Sequence, residues 1–158
     1  MKILSMKTTI FLGAMLSLLV CLMFTGCSNS ETNSTSRGLT DFAHIEEEYL
    51  ATIDSLNLPD GITLPDKLED EDTGASFQVG YGETRASYLW EYSWMKEWLD
   101  TYNTDPERAE KALEELEKAF DMPYMGIDRC DDATRNYLRE NIDKAKLGDP
   151  SGFTESIR

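Results

Sequence analysis

Length, composition and charge already exclude several classes of function. The chain has 158 residues, of which 30 are acidic and 15 are basic, for a formal net charge of −15 at pH 7. So acidic a surface repels nucleic-acid phosphates and anionic lipid headgroups. We therefore expect no nucleic-acid partner and no electrostatic docking of the folded part on a membrane.

The first 27 residues have the pattern of an export signal. Lys2 and Lys7 make a basic start, residues 10–24 are apolar or small, and Thr25-Gly26 precedes Cys27. That order of basic, apolar and small segments is typical of secreted precursors. With a cysteine at the cleavage point it resembles the lipobox of bacterial lipoprotein precursors, with Phe24 where that family prefers Leu, Val or Ile.

The resemblance implies an address for the protein. In such precursors the cysteine thiol receives a diacylglycerol and the chain is cut just before it. Residues 1–26 would then be a signal peptide and Cys27 the lipidation site, with the protein held by its lipid on the outer face of the bacterial cell membrane. One alternative is an uncleaved anchor helix, because about 20 apolar residues suffice to span a bilayer. The other is an ordinary secretory signal.

Removal of residues 1–26 takes away two lysines and no acid, which leaves 13 basic against 30 acidic side chains and a net charge of −17. Cys130 is then the one cysteine of the sequence beyond Cys27. We therefore expect no disulfide within the folded part. The acidic side chains around Cys130 should raise the pKa of its thiol, which predicts an unreactive cysteine.

Hydrophobic periodicity predicts an all-α fold, a small bundle of about four helices over residues 40–158. Residues 28–37 are polar and lack periodicity, so 27–39 should be the lipidated cysteine and a flexible tether. The predicted helices cover residues 41–57, 84–102, 106–120 and about 131–147.

A long irregular loop, residues 58–82, separates the first two predicted helices. The alternation of Phe77, Val79 and Tyr81 is compatible with a short strand in that loop. The fourth helix should turn Tyr137 and Leu138 inward, and a short tail after Gly148 should dock on the bundle. This outline resembles small uncharacterised exported proteins of Gram-positive bacteria, a resemblance that implies a location and no mechanism.

The catalytic motifs in the sequence are incomplete. His44 is the single histidine and lies among acids, so neither a zinc site nor a serine–histidine pair is predicted. Ser93 and Lys96 match the Ser-x-x-Lys spacing of penicillin-recognising enzymes, but the companion motifs are missing. Residues 80–85 begin like a phosphate-binding loop, yet Arg85 stands where the third glycine belongs. We predict no catalytic residue, no metal and no cofactor.

Glu91 is the position that an ordinary helical bundle explains least well. It falls within the aromatic face of the second helix, which makes Glu91, Trp90 and Trp94 the candidate ligand-binding residues. A carboxylate buried there needs an ion pair with Arg135 or Arg139, or hydrogen bonds from tyrosine hydroxyls, or it takes up a proton. Alternatively it belongs to an aromatic groove of the kind that binds sugars or cationic groups.

Two classes of function follow from the sequence. The first is a non-enzymatic module, lipid-anchored outside the cell, that binds a protein or small molecule or supports assembly of the envelope. The second is a small carboxylate-dependent hydrolase of the envelope, in which Glu91 would need a second carboxyl group at a defined distance. The lack of a complete catalytic motif favours the first.

Overall fold

The computed structural model describes residues 38–69 and 71–158. The predicted signal peptide, Cys27 and the tether up to residue 37 lie outside the described residues. The described part is mostly helical, with a small two-stranded sheet, which confirms the predicted all-α bundle. In chain order its elements are β1 (Leu39–Thr40), α1 (Phe42–Ile53), β2 (Phe77–Gln78), α2 (Tyr81–Thr101), α3 (Pro106–Glu117), two 3₁₀ turns (Lys118–Asp121 and Pro123–Met125), α4 (Asp132–Lys146) and α5 (Ser151–Ser156).

Aspartates begin three of these helices. The carboxylates of Asp41, Asp105 and Asp131 each accept a hydrogen bond from the backbone N–H three residues further on, at 3.0, 3.2 and 2.7 Å. Each bond satisfies one of the N–H groups that a helix leaves unpaired at its start. The fourth predicted helix is confirmed with Asp131 as its N-cap.

Helix α1 ends at Ile53, earlier than predicted. The chain that follows it accepts hydrogen bonds from side chains of the neighbouring helix, α2. The carbonyl oxygen of Asn57 accepts hydrogen bonds from the indole N–H groups of both Trp90 and Trp94, at 2.8 and 3.0 Å. A helix continued through Asn57 would move that carbonyl away from the two indole N–H groups of α2. The predicted end at residue 57 is therefore wrong by four residues.

A two-stranded antiparallel sheet lies beside α1. Thr40 pairs with Phe77 and Leu39 with Gln78, and the carbonyl of Gly38 accepts from the N–H of Val79 at 3.0 Å. The predicted strand within the long loop therefore exists, although Tyr81 belongs to α2 and not to the strand. Its partner lies at the end of the predicted tether, so the ordered fold includes Gly38 and Leu39.

The buried side chains form two groups. One joins α2 to α3, α4 and α5 around Trp90, Trp94 and Phe153. The other lies between α1, α2 and the loop, where Ile45 and Tyr49 are buried. The loop is wrapped onto this second group, since the Tyr49 hydroxyl donates to the carbonyl of residue 65 at 2.8 Å. No helix among residues 38–69 and 71–158 is long and apolar enough to cross a membrane.

Candidate functional site

Residues 80–85 hold an internal carboxylate where a phosphate-binding loop would hold phosphate. Glu48 of α1 accepts from the backbone N–H of Gly80 at 2.8 and 2.9 Å and from that of Gly82 at 3.2 Å. The negative charge lies at the positive end of the α2 dipole, which it stabilises. The loop therefore fixes the start of α2, and its anion site is occupied by the chain itself.

The other catalytic-looking side chains are also engaged in structural contacts. Ser93 is buried and donates to the carbonyl of Leu89 at 2.7 Å, while Lys96 pairs with Asp100. His44 lies 3.3 Å from the carboxylate of Glu48. Within the described part of the chain, no three His, Cys, Asp or Glu side chains are grouped so as to hold a metal ion.

Cys130 is a buried free thiol, packed 3.5 Å from the sulfur of Met125. Burial raises the pKa of the Cys130 thiol, with a smaller contribution from the negative charge of Asp131. Raising the pKa keeps the thiol protonated and weakens it as a nucleophile. The structure therefore agrees with an unreactive cysteine and assigns burial as the main cause.

Glu91 lies partly buried on α2, and its partner is a tyrosine. The Tyr124 hydroxyl, from the second 3₁₀ turn, donates to Glu91 Oε2 at 2.8 Å. Loss of water around the carboxylate raises the pKa of Glu91 to about 7, and the bond from Tyr124 offsets only part of that effect. Of the two structural explanations open at the sequence level, the tyrosine bond is the one observed.

The arginines proposed as partners of Glu91 are engaged elsewhere. Arg135 donates to the carbonyl of Cys130 at 3.0 Å and pairs with Asp132. The guanidinium of Arg139 lies over the ring of Phe120, 4.6 Å from its centroid. Among the described residues Glu91 therefore has no ion-pair partner, and one neutral donor, Tyr124, compensates its charged form for the water lost on burial.

Glu91 borders an open groove of about 480 Å³ formed by α2, α4 and the chain's last helix, α5. Three tyrosines line it, Tyr88, Tyr92 and Tyr137, and their side chains are 48%, 45% and 46% exposed. Tyr137 was expected to face the core, but it lies at the surface, where its hydroxyl is 3.1 Å from that of Ser156. The groove thus combines aromatic faces with a carboxyl group whose pKa is raised to about 7 by burial.

A second carboxyl group, Glu155 of α5, lines the same groove. Its position meets one condition that the hydrolase alternative sets, namely two acidic side chains in one cleft. A carboxyl group with a pKa near neutrality, as in Glu91, can donate or accept a proton at pH 7. The arrangement is therefore able to bind a ligand and, given suitable spacing, to transfer a proton to it.

Trp90 and Trp94 are not brought to this groove. Both are buried, with 2% and 1% of their surface exposed, and both indole N–H groups are already used by Asn57. Trp90 borders a different hollow of about 600 Å³, where Glu115, one of its three acidic side chains, is paired with Lys118 at 2.7 Å. The grouping of the two tryptophans with Glu91 as one binding surface is therefore corrected: they hold the core together, because adjacent helix positions point to different neighbours.

Most of the groove is formed by residues that are distant from Glu91 in the sequence. Tyr124 lies 33 residues from Glu91, and Glu155 comes from a tail for which only apolar docking was expected. The one usable signal was the excess of tyrosines on α2, at positions 88 and 92, beside Glu91. No family model, no curated protein and no solved structure matches the chain, so the geometry of the site is the basis for assigning it a role.

Proposed function

We propose that the protein is a non-enzymatic binding module, lipid-anchored through Cys27 on the outer face of a bacterial cell membrane, whose ligand occupies the Glu91 groove. The address is supported by the basic, apolar and small segments that precede Cys27. The binding role is supported by a groove with tyrosine walls and a carboxylate at its margin. Ligand sites in proteins combine concave aromatic surface with a few polar groups in this way.

One observation carries the proposal: Glu91 is partly buried with a single neutral hydrogen-bond donor and no cationic partner among the described residues. A carboxylate kept in such surroundings destabilises the free protein when it is charged. A bound ligand that satisfies the carboxylate removes that penalty. Such an arrangement is typical of a binding site.

The binding role is tested by thermal melts of the full chain in non-ionic detergent with a panel of amino acids, amines, sugars and short peptides. A ligand that binds only the folded state at 100 times its Kd stabilises it by about 2.7 kcal/mol. We expect at least one class to raise the Tm of the wild type and not that of Glu91→Gln. Glu140→Gln, an exposed change of the same charge on α4, is the matched control. A panel without effect, or shifts that persist in Glu91→Gln, would contradict the proposal.

The anchor is tested separately by Cys27→Ala. We expect the variant to lose incorporation of labelled fatty acid and to remain uncleaved, because the thiol is the group that is lipidated. Identical labelling and processing of the variant would remove the lipoprotein part of the proposal and leave the groove unaffected.

The hydrolase alternative is favoured by the presence of Glu91 and Glu155 in one groove. Hydrolysis of chromogenic glycosides or esters by the wild type, lost in both Glu91→Gln and Glu155→Gln, would support it over the binding role. Retaining glycosidases place their two carboxyl groups about 5–5.5 Å apart and inverting ones about 6.5–9.5 Å apart. We expect no turnover, since the sequence contains no complete catalytic motif.

A further inference from the structure

The charged side chains that line the Glu91 groove are all acidic. Its two carboxyl side chains are those of Glu91 and Glu155, and neither lysine nor arginine is among the described residues that line it. The rings of Tyr88, Tyr92 and Tyr137 supply the remaining recognition surface. Carboxylates and the faces of tyrosine rings both attract cations and both repel anions.

We propose that the groove binds an alkylammonium cation, with its charge against Glu91 and Glu155 and its alkyl groups against the tyrosine rings. This inference rests on the proposed binding function and narrows its ligand class. The cation has two sources with the same chemistry, a primary ammonium such as a lysine side chain and a quaternary ammonium such as choline. Met95 and Ile157 provide apolar surface in the same groove for the alkyl part.

Glu91 is what favours a cation over a neutral ligand. Its Oε2 accepts from Tyr124, and its Oε1 accepts no hydrogen bond from the described residues. A bound ammonium supplies the missing positive charge, so the ionised carboxylate becomes the favoured form. Since the pKa of Glu91 is about 7 in the free protein, binding at neutral pH should expel a proton to the solvent.

The other groups that face Glu91 do not replace a cation. Burial raises the pKa of Tyr88 and of Tyr124, so both hydroxyls stay neutral, and burial also raises the pKa of the Cys130 thiol. From α4 the groove receives Tyr137, and from α5 it receives the acidic Glu155. Affinity for the cation should therefore increase as the pH rises through about 7.

The test is isothermal titration of the full chain in non-ionic detergent with choline and with N-acetyl-lysine methylamide. Each probe has a matched neutral analogue, 3,3-dimethylbutanol for choline and the Nε-acetylated derivative for the lysine probe. We expect at least one cation to bind at least about tenfold more tightly than its analogue. Titration in buffers of different ionisation enthalpy should show release of a fraction of a proton at pH 7 and of a larger fraction at pH 6.

Substitutions of groove residues test whether the cation binds in the groove. Glu91→Gln and Tyr92→Ala should each weaken binding by about tenfold or more, whereas Tyr92→Phe, which keeps the aromatic face, should retain it. Glu140→Gln should behave as the wild type. Circular dichroism confirms that each variant is folded before it is titrated.

The outcomes separate this inference from the proposed function. If choline alone binds, the ligand is a quaternary ammonium. If the lysine probe alone binds, the ligand is a primary ammonium. Equal binding of the neutral analogues, undiminished binding in Glu91→Gln, or no binding of either cation at tens of millimolar overturns the inference. If a neutral sugar such as N-acetylglucosamine binds instead, and Glu91→Gln no longer binds it, the proposal of a cationic ligand is wrong. The proposed binding function of the groove is then retained.

Discussion

Glu48 of α1 and Glu91 of α2 are both partly buried carboxylates, and their surroundings differ sharply. Glu48 accepts hydrogen bonds from two backbone N–H groups at the positive end of a helix. Glu91 accepts one bond, from the hydroxyl of Tyr124, in a groove with a second acid. The first carboxylate is fully used by the fold. The second is left for something else to satisfy, which is why we assign the binding site to it.

Near Glu48, helices α1 and α2 approach each other very closely. A substitution that fills this contact should have the largest effect on stability. A Cβ atom on Gly82 would lie 1.8 Å from the carbonyl oxygen of Ile45. Gly82→Ala should therefore push α1 and α2 apart, separate Glu48 from the start of α2, and cost more than about 3 kcal/mol. Denaturant unfolding measures the loss. A cost below about 1 kcal/mol would mean that the two helices do not pack this closely.

The pH dependence of stability is the next largest effect. The pKa of Glu91 is raised from 4.5 to about 7 in the fold, so between those values the folded state holds a proton that the unfolded state has lost. Stability contributed by the protonated form is therefore present at low pH and is lost as the pH rises. From pH 5 to pH 8 the wild type should lose about 2–3 kcal/mol relative to Glu91→Gln, which has no such proton.

Denaturant unfolding of both proteins at the two pH values measures that difference, and Glu140→Gln is the control that should follow the wild type. Glu91→Gln should match the wild type near pH 5 and exceed it at pH 8. A variant that is less stable than the wild type at pH 8 would show that Glu91 has a cationic partner after all.

Glu48→Gln should act in the opposite direction. The amide oxygen still accepts one N–H bond, but the charge at the α2 N-terminus and the second acceptor oxygen are lost, at a cost of about 1–2 kcal/mol. Glu47→Gln, an exposed neighbour on the same helix, should change stability by less than about 0.5 kcal/mol. Thermal and denaturant unfolding at pH 7 compare the three proteins. Equal stability of Glu48→Gln and Glu47→Gln would mean that the Glu48 carboxylate does not stabilise the fold, and its contrast with Glu91 would be lost.

Tyr124→Phe has the smallest expected effect and removes the one bond that Glu91 receives. The change should cost about 1 kcal/mol at pH 8, where the carboxylate is charged, and less at pH 5. It should also raise the pKa of Glu91 further, because the bond from Tyr124 is what lowers it. Denaturant unfolding at both pH values checks the difference. A cost independent of pH would indicate that Tyr124 contributes packing alone.

Local signals in the sequence predicted the four long helices. Asp41, Asp105 and Asp131 each cap the helix that follows, because the cap bond spans only three residues. The end of α1 was missed because it depends on tryptophans more than 30 residues away. The environment of Glu91 was missed for the same reason: a helical wheel shows the face on which a residue lies, and it does not show which tyrosine or which acid from α5 comes to meet it.

The central claim is that Glu91 is a partly buried carboxylate without a cationic partner in a groove, and its own titration tests that claim most directly. Carbon-13 NMR of the glutamate carboxyl groups, with Glu91→Gln used to assign the signal, gives its pKa in the full chain. We expect a midpoint of about 7 in the free protein, falling when the cationic probe binds. A midpoint near that of an exposed glutamate, about 4.3, would contradict it.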